Sequence, residues 1–259
     1  MLTQHPVPTA CAARPKQLPR LVLLLVLSWL LAACTSTQVR TFKDPQGQPL
    51  RLAGSVVMVT PDIELSEVGA GGVAEPRQAW TEAARQHYPV AARNLLATQG
   101  VVLRPDFSIP LDAGPEQRLR QIELLNQAVS MSILQYSGSG SRLRNKRGTF
   151  DWSLGPGVAA LREATGADYA LFTYLRDSYS SGGRVAMRVI GFVLLGGDIG
   201  GGMQVGVASL VDLRSGQVVW HNLLVDQTGD LRTPEGASET AGDLLRRFPA
   251  TTVATEPAR

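Results

Sequence analysis

The sequence predicts an α/β fold, a single-domain sandwich in which helices flank a central mixed β-sheet. Residues 205–213 and 217–224 are two apolar runs joined by a short turn containing Gly216, the pattern of a β-hairpin. Residues 168–175 are apolar on both alternating faces, as in a central strand that is covered on each side. Apolar stripes with helical spacing alternate with these runs, so we expect helices on the faces of the sheet.

In the first half of the chain, short apolar runs predict strands at residues 55–60, 63–68 and 101–103. A helix is expected to open at Glu75 and Pro76, and Gly100 closes it. Pro89 falls inside this helix and predicts a kink or a break into two short helices. A second apolar stripe, which includes Leu119 and Ile133, predicts a helix that lasts to about residue 135.

In the second half, a brief helix is expected over residues 158–165, with Gly166 at its end. After the hairpin, Thr233 followed by Pro234 predicts the start of a last helix. Residues 184–195 have apolar side chains at helical spacing, with Arg184 and Arg188 four positions apart. This segment is too short to span a membrane, so a buried helix and an amphipathic segment that contacts a membrane or a partner both stay open.

The Gly-rich stretch at residues 196–202 fits neither a dinucleotide-binding loop nor a P-loop with its lysine, and we interpret it as a linker.

The N-terminus carries an export signal. Residues 1–33 contain Arg14, Lys16 and Arg20 and no acidic side chain, and they end in a mainly apolar run, which includes Ser28, of the length found in secretory signal peptides. The sequence Leu31-Ala32-Ala33-Cys34 that follows resembles the lipobox of bacterial lipoproteins. The resemblance implies that the Cys34 thiol receives a diacylglyceryl group, that cleavage precedes Cys34, and that the new amino terminus is acylated.

Several acyl chains hold a protein firmly on its membrane. Because Thr35 rather than Asp follows Cys34, the resemblance implies the outer membrane, with the domain on the periplasmic face. The expected organisation is therefore a signal peptide over residues 1–33, a lipidated tether over residues 34–54, a periplasmic α/β domain over residues 55–250 and a disordered tail over residues 251–259. Within the tether, residues 38–42 are a candidate for one short strand.

Charge gives no indication of a nucleic-acid partner. The chain has 25 basic and 22 acidic residues, and all three charged residues of the signal peptide are basic, so 22 of each sign remain after cleavage. The sequence pI near 9.1 is thus largely a property of the signal peptide. Four cations cluster after a Ser/Gly tract: Arg142, Arg144, Lys146 and Arg147.

This cluster is either a basic loop that meets anionic lipid, lipopolysaccharide or peptidoglycan phosphates, or a solvated surface loop. Together with Arg184 and Arg188 it forms our candidate interaction surface.

Catalytic chemistry is not indicated. His87 and His221 are the histidines that remain after cleavage, neither belongs to a metal motif, and Cys34 is the lipid site. Asp212 and His221 could join a serine in a triad, but no nucleophile elbow accompanies them, and Asp212 is better interpreted as the start of the hairpin turn. We therefore predict no catalytic residue, no metal and no cofactor.

Two stretches resemble a known family. Residues 165–172 (TGADYALF) and 210–220 (LVDLRSGQVVW) are similar to a pattern in periplasmic lipoproteins of the curli-secretion-channel type and in lipoprotein activators of peptidoglycan synthases. The resemblance covers about residues 155–225 and implies an anticodon-binding-domain-like α/β sandwich. Family members act as pores, scaffolds or activators, so the fold alone does not assign a function. The secretion channel inserts two amphipathic hairpins into the membrane, whereas residues 184–202 are helical in period and Gly-rich.

The leading hypothesis is a non-enzymatic outer-membrane lipoprotein whose periplasmic domain docks onto an envelope protein during envelope assembly or secretion. A homo-oligomeric secretion subunit is the second hypothesis. A hydrolase acting on envelope polymers is the third.

Overall fold

The computed structural model describes residues 35–43, 46–48, 50–110, 117–136, 143–146, 149–183 and 202–251. Several predictions lie outside these ranges: the signal peptide, Cys34, and the cations Arg142, Arg147, Arg184 and Arg188. Residues 184–201 and 252–259 lie outside them as well.

The described residues form eight strands and four α-helices. The strands are β1 (Ser36–Thr41), β2 (Ser55–Met58), β3 (Asp62–Val68), β4 (Ala74–Pro76), β5 (Val102–Leu103), β6 (Tyr169–Ser180), β7 (Gln204–Asp212) and β8 (Val218–Asp226). The helices are α1 (Gln78–Thr98), α2 (Arg118–Tyr136), α3 (Ala159–Thr165) and α4 (Pro234–Leu244).

One mixed sheet organises the chain, in the order β1-β8-β7-β6-β2-β5. The first half of β6 pairs in parallel with β2 and its second half pairs in parallel with β3, which in turn pairs with β4. The predicted hairpin is β7 and β8, which pair antiparallel, and β7 lies beside β6. This arrangement confirms the predicted α/β fold with a central mixed sheet.

Helices cover both faces of the sheet, and each face has its own apolar core. On the first face, α1 and α4 bury side chains such as Tyr88 and Leu244 against the sheet residues Leu210 and Trp220. On the second face, α2 and α3 pack Ile122, Ile133 and Leu161 against Phe172 and Val211. The alternation of β6 and β7 residues between these two cores explains why both runs are almost uniformly apolar.

The N-terminal segment belongs to the sheet to a greater extent than the sequence predicts. The sequence makes residues 38–42 of the tether a candidate for a short strand, and residues 36–41 form β1, all six of which pair antiparallel with β8. The side chains of β1 alternate between exposed and half-buried, so one face of this edge strand is polar and gives little hydrophobic signal. The sheet therefore begins at Ser36.

The first long helix also differs from its prediction. Glu75 and Pro76 belong to β4, and α1 begins at Gln78 and continues through Pro89 to Thr98 without a break. A proline removes one hydrogen bond to the carbonyl four residues earlier, here that of the exposed Arg85, which water can satisfy. Tyr88 and Ala92 are fully buried on either side of Pro89 and hold both halves of the helix on the core.

Candidate functional site

The N-terminal end of the described chain is fixed to the sheet. The hydroxyl of Thr35 donates a hydrogen bond to Oδ1 of Asp226 at 3.1 Å, and Ser36 pairs with Val225. Asp226 is itself 7% exposed and also accepts from the amide of Thr228 at 3.1 Å. Thr35 directly follows the predicted lipidation residue Cys34, so the lipid position is at most about 7 Å along the chain from the first strand.

Polar side chains form a row across this same end of the sheet. Asp177 is opposite Gln204, and Gln204 is opposite Asp226, in adjacent strands. We call Asp177, Gln204 and Asp226, with Thr35, the strand-end row. Nε2 of Gln204 donates to the Asp177 carboxylate at 3.0 Å, and the Tyr179 hydroxyl donates to the same oxygen. Burial raises the pKa of Asp177, while these donors oppose the shift.

The hairpin turn lies at the opposite end of β7 and β8. The Asp212 carboxylate accepts a hydrogen bond from the amide of Arg214 at 2.7 Å, which confirms the predicted turn-capping role. Gly216 has φ +77°, and an added Cβ would lie 2.2 Å from the carbonyl oxygen of Gly155. Glycine is therefore required here both by the backbone conformation and by the close approach of a neighbouring segment.

Cations gather at this turn, away from the strand-end row. Arg214 and Arg162 both face the carboxylate of Asp168, at 2.7 Å and 3.7 Å, and their side chains are 64% and 46% exposed. The amide of Ser55 donates to Asp168 at 3.0 Å and lowers the pKa of that carboxyl, and the Arg214 guanidinium lowers it further. Two arginines thus share the Asp168 carboxylate, and the Asp212 carboxylate lies at the same turn.

The predicted basic loop reaches the same end. Arg144 is exposed on a 3₁₀ turn, Arg144–Lys146, and Lys146 holds its ammonium 4.7 Å from the ring centre of Trp152. The carbonyl of Trp152 accepts a hydrogen bond from the amide of Val218, the first residue of β8, at 2.7 Å. We define the distal basic surface as Arg144, Lys146, Arg162 and Arg214.

A groove of about 430 Å³ separates helix α2 from the second face of the sheet. We call it the α2 groove. Its apolar side chains are Val59, Met131, Leu134, Phe172, Val205 and Val207. Its buried polar side chains include Asn126, Ser130, Thr173 and Ser209. The hydroxyls of Ser130 and Ser209 lie 2.9 Å apart and satisfy each other, and they join α2 to β7.

The two histidines are not brought together. His87 is half-buried on α1, whereas His221 is 1% exposed in β8. Burial and the neighbouring charge of Arg40 lower the pKa of His221 to about 4, so it is neutral at pH 7. Asp212 lies at the hairpin turn, which it caps, and it is opposite Tyr169 in the neighbouring strand, whereas His221 is opposite Ser209. The structure therefore does not assemble the Asp212–His221 pair considered from the sequence.

Within the described ranges, no group of three or more His, Cys, Asp or Glu side chains is arranged to hold a metal ion. No helix in those ranges is both long enough and apolar enough to cross a membrane.

Sequence reasoning did not find the α2 groove or the strand-end row. The groove residues Asn126 and Ser130 look like ordinary polar positions of an amphipathic helix. Asp177 and Gln204 lie just outside the apolar runs predicted as strands, residues 168–175 and 205–213, because the apolar pattern of β6 fades after Leu175. Which polar side chains are buried, and what they bond to, depends on the tertiary fold and cannot be recognised from a local sequence pattern.

No protein-family model matches the sequence, and no curated protein matches it. Solved structures that resemble the fold include two of PelC dodecamers from Paraburkholderia phytofirmans. The first, a variant, has a TM-score of 0.38 and 13% identity, and the second has a TM-score of 0.37 and 14% identity. Each match covers 84% of this chain and 99% of that chain. These values are too low to assign a family or an activity.

Proposed function

We propose that the protein is a lipid-anchored, non-enzymatic adaptor of the bacterial outer membrane that presents its distal basic surface to an acidic envelope partner. The observation that carries this proposal is the hydrogen bond from Thr35 to Asp226, which fixes the chain to the sheet one residue after Cys34. A lipid on Cys34 then anchors the folded domain itself, with almost no slack between the membrane and the sheet.

This geometry also supports an orientation. The strand-end row lies beside Thr35, so it faces the membrane when Cys34 is lipidated. β7 has nine residues and rises about 3.4 Å per residue, which separates the hairpin turn from that end by about 30 Å. The distal basic surface therefore projects into the periplasm, where it can meet a partner.

The chemistry of the distal basic surface favours an acidic partner. Arg162 and Arg214 are 46% and 64% exposed while they share the Asp168 carboxylate, and Lys146 lies over an aromatic ring, so their cationic groups are positioned where a partner can reach them. Exposed charges of one sign steer a partner of opposite sign and set the rate of association. Binding through this surface should accordingly weaken as the salt concentration rises.

The anchor is tested by replacing Cys34 with serine in the full chain. The proposal expects the wild-type protein to sediment with outer membranes and the Cys34→Ser variant to be released into the periplasmic fraction. A Cys34→Ser variant that still sediments with the outer membrane would overturn the anchor.

Docking is tested in cells with a photo-crosslinking amino acid. Placed at Ser215, in the exposed hairpin turn, it should give a discrete adduct that is lost when Arg214 and Arg144 are both changed to glutamate. The same probe at Val73, exposed on the loop before β4, is the matched control and should give no such adduct. Equal labelling from both positions, or labelling that survives the charge reversal, would contradict the docking surface.

The mass of the purified protein tests the homo-oligomeric alternative. Mass photometry of the detergent-solubilised full chain should give the mass of one chain if the protein is an adaptor. A ring of many copies would favour an oligomeric secretion subunit instead.

A further inference from the structure

The α2 groove plays no part in anchoring or docking, yet it has the size and lining of a ligand site. Its volume of about 430 Å³ falls within the range of small-molecule pockets, and most of the surface it exposes is apolar. Met131 and Leu134 line it on the helix side, and Val205 and Val207 line it on the sheet side. Met131 is 64% exposed, which places a large flexible apolar side chain at the lip.

The apolar surface continues across the sheet from the groove. Val205 lies opposite Val225, and Val207 lies opposite Leu223, in the paired strand β8. Since directly opposite residues share one face of a sheet, these four side chains form a continuous apolar strip. Val205, Leu223 and Val225 are only half-buried, so the strip can accept further apolar contact. An elongated apolar chain fits such a strip better than a compact ring does.

One buried polar atom inside the groove, Oδ1 of Asn126, has no hydrogen-bond partner among the described residues. Asn126 lines the groove and is 8% exposed. An unsatisfied buried oxygen is unfavourable, and a ligand that brings an N–H or O–H donor would satisfy it. The neighbouring Ser130 and Ser209 hydroxyls already bond to each other, which singles out Asn126 as the acceptor.

The charged groups at the groove argue for a neutral ligand. The guanidinium of Arg176 binds both carboxylate oxygens of Asp62 at 3.0 Å, and Glu123 pairs with Arg120. These ion pairs leave no unmatched cation among the described lining residues to receive a carboxylate or phosphate head.

We propose that the α2 groove binds the acyl chain of a neutral amphiphile that carries a hydroxyl or amide N–H donor, supplied in trans by a membrane lipid. The chain lies against Val205 and Val207 and under Met131, and the donor bonds to Asn126. The protein's own lipid is the other source of an acyl chain within reach, because Cys34 precedes Ser36, which lies two strands away from Val205 at about 10 Å; the vesicle experiment below distinguishes the two sources. The site stands whether or not Cys34 is lipidated.

The first experiment compares three fluorescent probes with the full chain carrying Cys34→Ser. N-dodecyl dansylamide is neutral and has an N–H donor, and its N-methyl derivative lacks that donor. Dansylaminoundecanoic acid adds a carboxylate. The neutral donor probe should bind saturably and about three- to tenfold more tightly than its N-methyl derivative, the difference expected for one hydrogen bond. The carboxylate probe should bind more weakly than the neutral donor probe.

Three variants locate the site. Val207→Trp fills the groove and should abolish saturable binding. Val90→Trp is the control, because Val90 is 59% exposed on α1, on the other face of the sheet, and should bind as the parent does. Asn126→Leu removes the acceptor without adding a buried polar group, so it should fold and should bind the N–H and N-methyl probes equally. This loss of discrimination is a readout that a purely structural role for Asn126 would not change.

Several results would overturn the proposal. One is the absence of saturable binding up to the solubility limit of the neutral donor probe. Another is identical binding by Val207→Trp and Val90→Trp, and a third is discrimination between the probes that persists in Asn126→Leu. Lipidated wild-type protein in phosphatidylcholine vesicles should bind the neutral donor probe as the Cys34→Ser chain does. Probe binding only after the lipid is removed would show that the protein's own lipid occupies the groove.

Discussion

The buried histidine of β8 should make the stability of this protein depend on pH. His221 is 1% exposed, lies opposite Ser209 and Arg40 in the neighbouring strands, and its Nε2 has no hydrogen-bond partner within the described part of the chain. Desolvation and, secondarily, the charge of Arg40 lower its pKa from 6.5 to about 4. The folded protein therefore resists a proton that the unfolded chain accepts readily.

The sign and size of the effect follow from that difference. The unfolded chain binds the proton below pH 6.5 and the folded chain only near pH 4, so the free energy of unfolding falls as the pH drops through this window. Above pH 6.5 the contribution is constant. A pKa difference of this size corresponds to about 3 kcal/mol lost between pH 7 and pH 4.

The perturbation is His221→Leu, which removes the titrating group and keeps an apolar side chain in the core. Urea unfolding of the wild type and the variant at pH 7 and pH 4 gives four free energies of unfolding. The wild type should lose about 3 kcal/mol more than His221→Leu does between the two pH values. Leu224→Ala, in the same strand, is the control: it should lower stability at both pH values by the same amount, because it changes no titrating group.

Equal pH dependence in the wild type and His221→Leu would refute the argument. It would mean that His221 is protonated or water-accessible in the folded protein, and that burial does not set its pKa.

Two further predictions concern positions where the fold constrains one residue. Gly216→Ala should lower the free energy of unfolding by about 3 kcal/mol, because the new side chain meets both a positive φ and the Gly155 carbonyl. Gly166→Ala should lower it by only about 1 kcal/mol, because Gly166 has φ +65° but open space around it. Urea unfolding of both variants tests this prediction, and equal losses would contradict the effect of the contact at Gly216. Thr233→Ala removes the hydroxyl that accepts a hydrogen bond from the Gly236 amide at 3.1 Å, and it should lower the free energy of unfolding by about 1 kcal/mol. An unchanged midpoint of urea unfolding would show that this helix cap contributes nothing to stability.

The central part of the fold is predictable from the sequence because its elements are long, apolar and bounded by clear stop signals. Two apolar runs around Gly216 predict the β7–β8 hairpin, and Thr233 and Pro234 predict the start of α4. In both cases local propensity and tertiary packing favour the same structure.

The N-terminal and edge elements are not predictable in this way. β1 is an edge strand with an exposed face, and β4 has three exposed residues, so neither has a strong hydrophobic pattern. The end of β6 has no simple apolar pattern, because Asp177 accepts hydrogen bonds from Tyr179 and Gln204 while the ring of Tyr179 packs against the first core. Such strands are specified by their partners, which a local sequence pattern does not contain.

The α2 groove and the distal basic surface are even harder to predict from the sequence. The α2 groove depends on where one helix stops covering the sheet, and Asn126 becomes informative only because the fold buries its side chain without a partner. The sequence predicts Arg144 and Lys146 as part of a basic cluster, but only the structure shows Lys146 over the ring of Trp152, whose carbonyl bonds to the first residue of β8.

We propose that the folded domain is anchored by lipid at Cys34, immediately before the Thr35–Asp226 contact. The most direct test is mass spectrometry of the N-terminal peptide of the protein purified from bacterial outer membranes. The anchor predicts a peptide that begins at Cys34 and carries the diacylglyceryl group and an acylated amino terminus. An unmodified peptide, or one that begins before Cys34, would contradict it.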